Sequence, residues 1–465
     1  MKITSPLLGS ILTNISLLAL LWTTEQDAFS GVSQTLQQRS AGAWEQDQQA
    51  RERTLADVRK LLRDPLTPIS AAQIALLNNQ GLRSTFEEIG LAEADVLEAR
   101  TVPNPRLDIS ARFPDKPPSG TDVEWGIAQD FLNILMIPLK AKVAKDQLAA
   151  VQLRVSDEVT QLVAETKSTV YQLEAGEETL GRLKIEHVAQ ATSLDFVQKL
   201  HQAGNITDLR LLEQQGEYSQ SRLEIAQAEV DIRALREKLN RLMGLWGTDT
   251  AWRVASTIPD LPKEDPTVRG LETLAIAQRC DLAALKFEFQ GTLRALGLEK
   301  TFRWIGALDF GIDSERQSDS QTITGPTFSL ELPIFNQGQA RIARIEARLR
   351  RAYDRLEQKA IEIRSEVREL RDKLTSARDM AQFYRDSMIP VRTQTRDQMQ
   401  LQYNAMIASP LELFAARRQE VSAERAYIEA RREYWTTRTE LERTVGGSFS
   451  GNTKPNPKIS VTKKN

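Results

Sequence analysis

Two hydrophobic rhythms alternate along this chain. Leu107, Ile109, Ala111 and Phe113 alternate with Arg106, Asp108, Ser110 and Arg112, the two-residue period of a strand with one apolar face. After the turn-rich segment Pro114–Thr121 the alternation resumes at Val123, Trp125 and Ile127. It recurs at Trp304, Gly306, Leu308, Phe310 and Ile312, followed by a polar loop from Asp313 to Thr324. A last strand sets Phe328, Leu330 and Leu332 against Thr327, Ser329 and Glu331. Each predicted strand has about nine to eleven residues, the length a tilted strand needs to cross hydrocarbon. From Leu139 the rhythm changes: Leu148, Val151, Val155, Val159, Leu162, Thr166, Val170 and Leu173 follow steps of three and four. That eleven-residue period predicts a nearly straight helix of roughly 90 Å running to about Leu200. Gly176 and Gly181 are candidate points for a bend or break in it, and a partner helix is predicted from Leu209 to Met243.

These elements come in two copies. Ala203–Leu209 precedes a helical pattern ending at Met243-Gly244; Ala405–Leu411 precedes the same pattern ending at Val445-Gly446. Both ends of this match share one spacing, Ala405 against Ala203 and Gly446 against Gly244. Leu139-Lys-Ala-Lys142 answers Arg341-Ile-Ala-Arg344, and Ala75–Leu82 answers Ala275–Leu282. The chain is a tandem duplication, each half reading short helix, two strands, long helix, tip, long helix. The expected layout is a signal peptide at 1–30, an N-terminal segment at 31–69, a first repeat at 70–244, a Pro-rich linker at 245–266, a second repeat at 267–447, and a disordered polar tail at 448–465. Lys2, the interrupted apolar run Ile11–Trp22, and Ala28 and Ser30 ahead of Gly31 carry the signal-peptide reading.

Composition narrows the function. The 465 residues carry Lys+Arg 61 against Asp+Glu 63, a net charge of -2, so no one-signed field invites nucleic acid. Outside the N-terminus no segment reaches about 18 consecutive apolar residues, so any membrane crossing falls to the strands. Four strands in lipid leave two unpaired edges, and closure requires several copies of the chain. Catalysis finds no support. The two histidines, His187 and His201, lack partners at motif spacing, and phosphate-cradling glycine loops are absent. No cofactor or metal is implied, and the single cysteine, Cys280, reads as a small packing residue.

Several segments resemble the TolC family of outer-membrane factors. Ala75-Leu-Leu-Asn-Asn-Gln-Gly-Leu82 is similar to the helix before the family's first strand, and Pro103-Asn-Pro-Arg-Leu107 to the entry into that strand. Gly325-Pro-Thr-Phe-Ser-Leu-Glu-Leu-Pro-Ile-Phe-Asn-Gln-Gly338 resembles the family's strongest signature, and Arg279-Cys-Asp-Leu282 matches a usual Arg-Pro-Asp-Leu except at Cys280. The resemblance covers about residues 70 to 446. It implies a fold that is mainly α with a membrane β-barrel: a homotrimer closing twelve strands in the outer membrane of a Gram-negative bacterium, continued by a periplasmic α-helical tunnel. The implied function is a passive exit duct for small molecules or metal ions, working with a periplasmic adaptor and an inner-membrane pump, in contact with outer-membrane lipid. A duct for type I protein secretion has identical chain physics, and a soluble coiled-coil scaffold is the alternative of a different class. Many relatives carry a lipidated N-terminal cysteine; none stands at the expected mature start, so an acyl anchor is not expected.

The resemblance assigns the adaptor contact to the tips: Gly204, Asn205, Ile206 and Thr207 in the first half, and Met406, Ile407, Ala408, Ser409 and Pro410 in the second. Gly204 also reads as a helix-ending glycine. Ser409-Pro410-Leu411-Glu412 reads as a capping box with proline at the first helical position. The family places pore-constricting acids just past the second tip. Glu412 matches the first such position and Ala415 occupies the second, while the first-half counterparts are Arg210 and Glu213. Glu412 is therefore open to two readings, a pore-lining acid or a helix cap.

Overall fold

The computed structural model of the chain describes residues 48–113, 115, 121–263, 270–316 and 321–447. The predicted signal peptide and the tail beyond residue 447 lie outside these residues. In chain order the helices are α1 (Gln48–Leu61), α2 (Pro68–Asn78), α3 (Gln80–Arg100), α4 (Phe131–Gln202), α5 (Asp208–Met243), α6 (Leu271–Gln278), α7 (Cys280–Phe302), α8 (Gln339–Phe383), α9 (Ile389–Asn404) and α10 (Pro410–Val445). The strands are β1 (Arg106–Arg112), β2 (Asp122–Asp130), β3 (Leu308–Arg316) and β4 (Thr322–Leu330). The described residues divide into a unit within Ser84–Asp157 and Cys280–Glu362, which holds the sheet, and a helical unit made of the other described residues.

In the sheet-bearing unit the four strands form one antiparallel meander, β1-β2-β3-β4, with β1 and β4 as open edges. The expected strands are all present, with shifted ends. β3 starts at Leu308 instead of Trp304, and the turn before it stacks the Arg303 guanidinium on the Trp304 ring, 4.1 Å away. Of the segment expected as a polar loop, residues 313–316 and 322–324 in fact extend both strands of the second hairpin: Asp313 pairs with Gly325 and Arg316 with Thr322. The Ser314 and Thr324 hydroxyls bond across the pair at 2.9 Å, so polar residues here belong to paired backbone. Pro333 lacks the N–H a longer ladder would need, and β4 stops at Leu330. Gly311 permits the β2–β3 approach, because a Cβ there would lie 2.7 Å from the Ile127 carbonyl oxygen.

Helix α4 begins at Phe131, eight residues before the predicted start. Asp130 caps it by accepting the Asn133 backbone N–H at 2.9 Å, and Pro138 is carried inside the helix. At 72 residues it is about 108 Å long. Neither Gly176 nor Gly181 breaks it. Gly176 instead brings α5 close, since its missing Cβ would sit 3.4 Å from Ile232. The second-half arm differs: one π-helical turn, Tyr384–Met388, separates α8 from α9. Pro390 has no N–H to give the Asp386 carbonyl, and the Ile389 N–H reaches back to Tyr384 instead.

The helical unit has its main core where α1, α2, α4 and α5 meet around Val58, Leu66, Ile74, Val170, Leu173, Leu239, Met243 and Trp252. The duplication is visible here at atomic scale. Each half's expected short helix is a pair, α2–α3 and α6–α7, broken at Asn79 and Arg279, both extended, with ψ 120 and 123. Gly244 and Gly446 end α5 and α10 in left-handed geometry, φ 65 and 90, against Asn78 and Gln278 respectively. Cys280 is the first residue of α7, the position a proline favours, which accounts for the matching family motif. Burial, with Asp157 and Asp281 nearby, pushes its thiol up to about 11, so it is an inert packing group as expected.

The segment between the halves is bolted down. Leu66 donates to the Arg253 carbonyl at 2.7 Å, forming an isolated parallel bridge beside Val254. Arg431 of α10, with its side chain 6% exposed, donates to Glu178 of α4 at 2.6 Å and to the Ile258 carbonyl at 2.9 Å. The other Glu178 oxygen accepts the Ile258 N–H, Trp435 donates to the Pro259 carbonyl, and Arg378 of α8 donates to the carbonyls of Pro262 and Lys263. Residues 258–263 thus form a strap holding three helices.

Candidate functional site at the helix-hairpin tips

The first tip follows from how α4 stops. The Gly204 N–H bonds the His201 carbonyl at 2.9 Å and the Asn205 N–H bonds Leu200 at 2.9 Å, a Schellman ending with Gly204 at φ 72. Thr207 then caps α5, its hydroxyl accepting the Arg210 N–H at 3.4 Å, and His201 meets Asp208 at 2.6 Å across the turn. Gly204, Asn205 and Thr207 are exposed and Ile206 is half-buried.

The second tip repeats this backbone. The Met406 N–H bonds Tyr403 at 2.9 Å and the Ile407 N–H bonds Gln402 at 2.8 Å, with Met406 at φ 59. The left-handed region costs a residue with a Cβ roughly 1–2 kcal/mol. Met406 is 95% exposed and Ile407 77% exposed. Ser409 caps α10 in the predicted box: its N–H donates to Glu412 at 2.7 Å while its hydroxyl accepts the Glu412 N–H at 3.3 Å. Pro410 is the first residue of the helix. These bonds from Ser409 hold the exposed Glu412 carboxyl below the usual range.

The structure brings Arg210 and Glu213 together, whereas Glu412 bonds to Ser409. Arg210 and Glu213 pair at 2.9 Å and line a polar cleft between the first-half hairpin and α10. Gln190, Gln214 and Glu217 line its first-half side; Leu411, Phe414, Ala415 and Arg418 line the other. Ala415, at the position of the second expected acid, therefore faces the first-half helices.

Above the cleft lies a ladder of ion pairs that sequence reasoning missed. Arg418 pairs with Glu217 at 2.6 Å, Arg425 with Glu224 at 3.1 Å and Glu186 at 3.5 Å, Arg182 with Glu424 at 3.2 Å, and Arg431 with Glu178 at 2.6 Å. Every rung joins one half to the other. Burial, opposed by Arg425 and reinforced by Glu224, raises the Glu186 carboxyl above its ordinary range. The only signal in the sequence was the spacing of Arg418 and Arg425 opposite Glu217 and Glu224, seven residues apart on each helix.

The sheet presents two chemically distinct faces. Register puts Leu107, Ile109, Trp125, Ile127, Phe310, Ile312, Phe328 and Leu330 on one face, all exposed in the single chain. The other face carries Asp108, Asp122, Glu124, Asp130, Asp309, Asp313 and Glu315 beside Arg106 and Arg112. Among the described residues no helix is long and apolar enough to cross a membrane, and no group of three or more His, Cys, Asp or Glu is placed to hold a metal ion.

The fold is that of known outer-membrane channels. A membrane protein from Pseudomonas aeruginosa matches with a TM-score of 0.69 at 18% identity, over 86% of this chain and 92% of that one. The CmeC outer membrane channel of Campylobacter jejuni matches with a TM-score of 0.68 at 15% identity, over 81% and 85%. VceC, an outer membrane protein of Vibrio cholerae, matches with a TM-score of 0.68 at 12% identity, over 85% and 97%. Comparison with curated protein sequences returns no match. The sequence itself fits the outer membrane efflux protein family over residues 71–247 and 274–447, once for each half, and the chain belongs to that family.

Proposed function

We propose that the chain is the exit duct of a tripartite efflux system. Three copies close their sheets into a twelve-stranded barrel, and their helices continue as a periplasmic tunnel. The tips Gly204–Thr207 and Met406–Pro410 dock a periplasmic adaptor coupled to an inner-membrane pump. The cargo is small molecules or metal ions, moved by the pump and passively conducted by the duct.

One observation carries this reading: a sheet with an exposed apolar face and two open edges. In lipid each unpaired edge group costs several kcal/mol, and pairing β4 of one copy with β1 of the next removes both edges. The polar face then lines the lumen. Glu412, Glu213 and Arg210 are assigned to the constriction. Three copies of Glu412, kept ionised by its cap, form a negative ring that favours cations.

The test is the protein mass of the detergent-extracted particle, with bound detergent subtracted. A trimer is expected; a monomer or dimer from the outer-membrane fraction would rule out the closed barrel. In planar bilayers Glu412→Gln should reduce cation preference measured as a reversal potential, and unchanged selectivity would leave Glu412 as a cap alone.

A further inference from the structure

The two tips share one backbone and differ in chemistry. We propose that Met406 is the specificity-determining residue of the second tip, an apolar anchor that enters a recess on the adaptor where the first tip offers only a glycine. This rests on the reading of the tips as adaptor-docking points.

Among the described residues Met406 is the only non-glycine with positive φ. Gly204 holds the same conformation, φ 72 against 59, with the same pair of helix-ending bonds. A glycine at 406 would build the same hairpin without the Cβ strain. Among the described residues nothing covers the methionine, which is 95% exposed beside Ile407 at 77%. Strain combined with full exposure of an apolar side chain is accounted for by a contact outside the chain.

The chemistry of that contact follows from the side chains. Ala405–Ser409 contains no charged residue, so the complementary surface is apolar. An unbranched thioether fills an irregular pocket, and Ile407 adds a stiff branched neighbour. At the first tip, Gly204 and Asn205 instead allow a partner backbone to come close and hydrogen-bond. A partner flat at both kinds of tip clashes with Met406; one recessed at every second position fits.

The experiment titrates the full-length protein in detergent with the purified periplasmic adaptor of its own organism, alongside thermal unfolding and particle mass. Met406→Gly should unfold at the same or a higher temperature, keep its oligomeric mass, and bind the adaptor at least about tenfold more weakly; Met406→Leu should stay within about threefold of wild type. Wild-type affinity in Met406→Gly overturns the proposal. So does a lowered unfolding temperature or a broken oligomer, which would make Met406 a packing residue within or between copies. If the wild type fails to bind the adaptor, the docking reading itself falls and this inference with it.

Discussion

At the residue scale, glycines that look alike in the sequence do different work. Gly244 is left-handed, and a Cβ there would lie 2.5 Å from the Asn78 carbonyl oxygen. Gly244→Ala should therefore cost about 2 kcal/mol or more of stability, read as a lower unfolding temperature. Gly181 has open space around it inside α4, so Gly181→Ala should stabilise by about 0.5–1 kcal/mol. Glu174 supplies a pH test. It is buried on α4, one carboxyl oxygen has no hydrogen-bond partner among the described residues, and burial raises its pKa to about 8. A carboxyl raised on folding stabilises fully below its unfolded pKa, and that contribution is lost as pH climbs through the folded value. Wild type should thus lose stability between about pH 4.5 and 8 relative to Glu174→Gln, with little difference at pH 4; parallel unfolding curves across this window would refute the burial argument. Glu412 behaves in the opposite sense, its lowered pKa keeping it charged further into acid than an ordinary glutamate.

At the element scale, local signals were legible and distant ones were not. Ser409–Glu412 was readable as a cap because its partners sit three residues apart, and the strand alternation marked all four strands. The start of α4 was missed because Phe131–Pro138 is an almost unbroken apolar run ending in proline, which shows no helical period, and the Asp130 cap lies upstream of it. The strap could not be read at all: Arg431 and Glu178 are 253 residues apart, and neither has a distinctive neighbourhood in the sequence. Breaking a buried pair leaves an uncompensated charge, so Arg431→Ala should cost about 3–5 kcal/mol, whereas Arg418→Ala at the exposed end of the ladder should cost under about 1 kcal/mol. Equal losses in urea unfolding would show that the strap is no stronger than a surface contact. The tips were legible in position and in helix-ending geometry, but nothing local announced that methionine would adopt the left-handed conformation.

At the scale of the whole molecule, the protein is an outer-membrane efflux protein and not an enzyme. The scaffold alternative required the strand segments to be loops, and they form a paired sheet. If the apolar face meets lipid, Ile127→Arg should cost about 2–4 kcal/mol of insertion and deplete the protein from the outer membrane, while Asp108→Asn on the other face should leave membrane levels unchanged. The order of the strands has a consequence for synthesis. β1 and β2 are a local hairpin, but β2 must find β3, with Val123 opposite Arg316, about 190 residues later in the chain. The whole first helical hairpin is synthesised before the central pairing of the sheet can exist. Neither repeat alone can build the four-stranded sheet. The rate-limiting event in biogenesis is therefore expected to be the joining of the two halves, leaving a half-finished sheet that needs chaperoning until the last strand arrives.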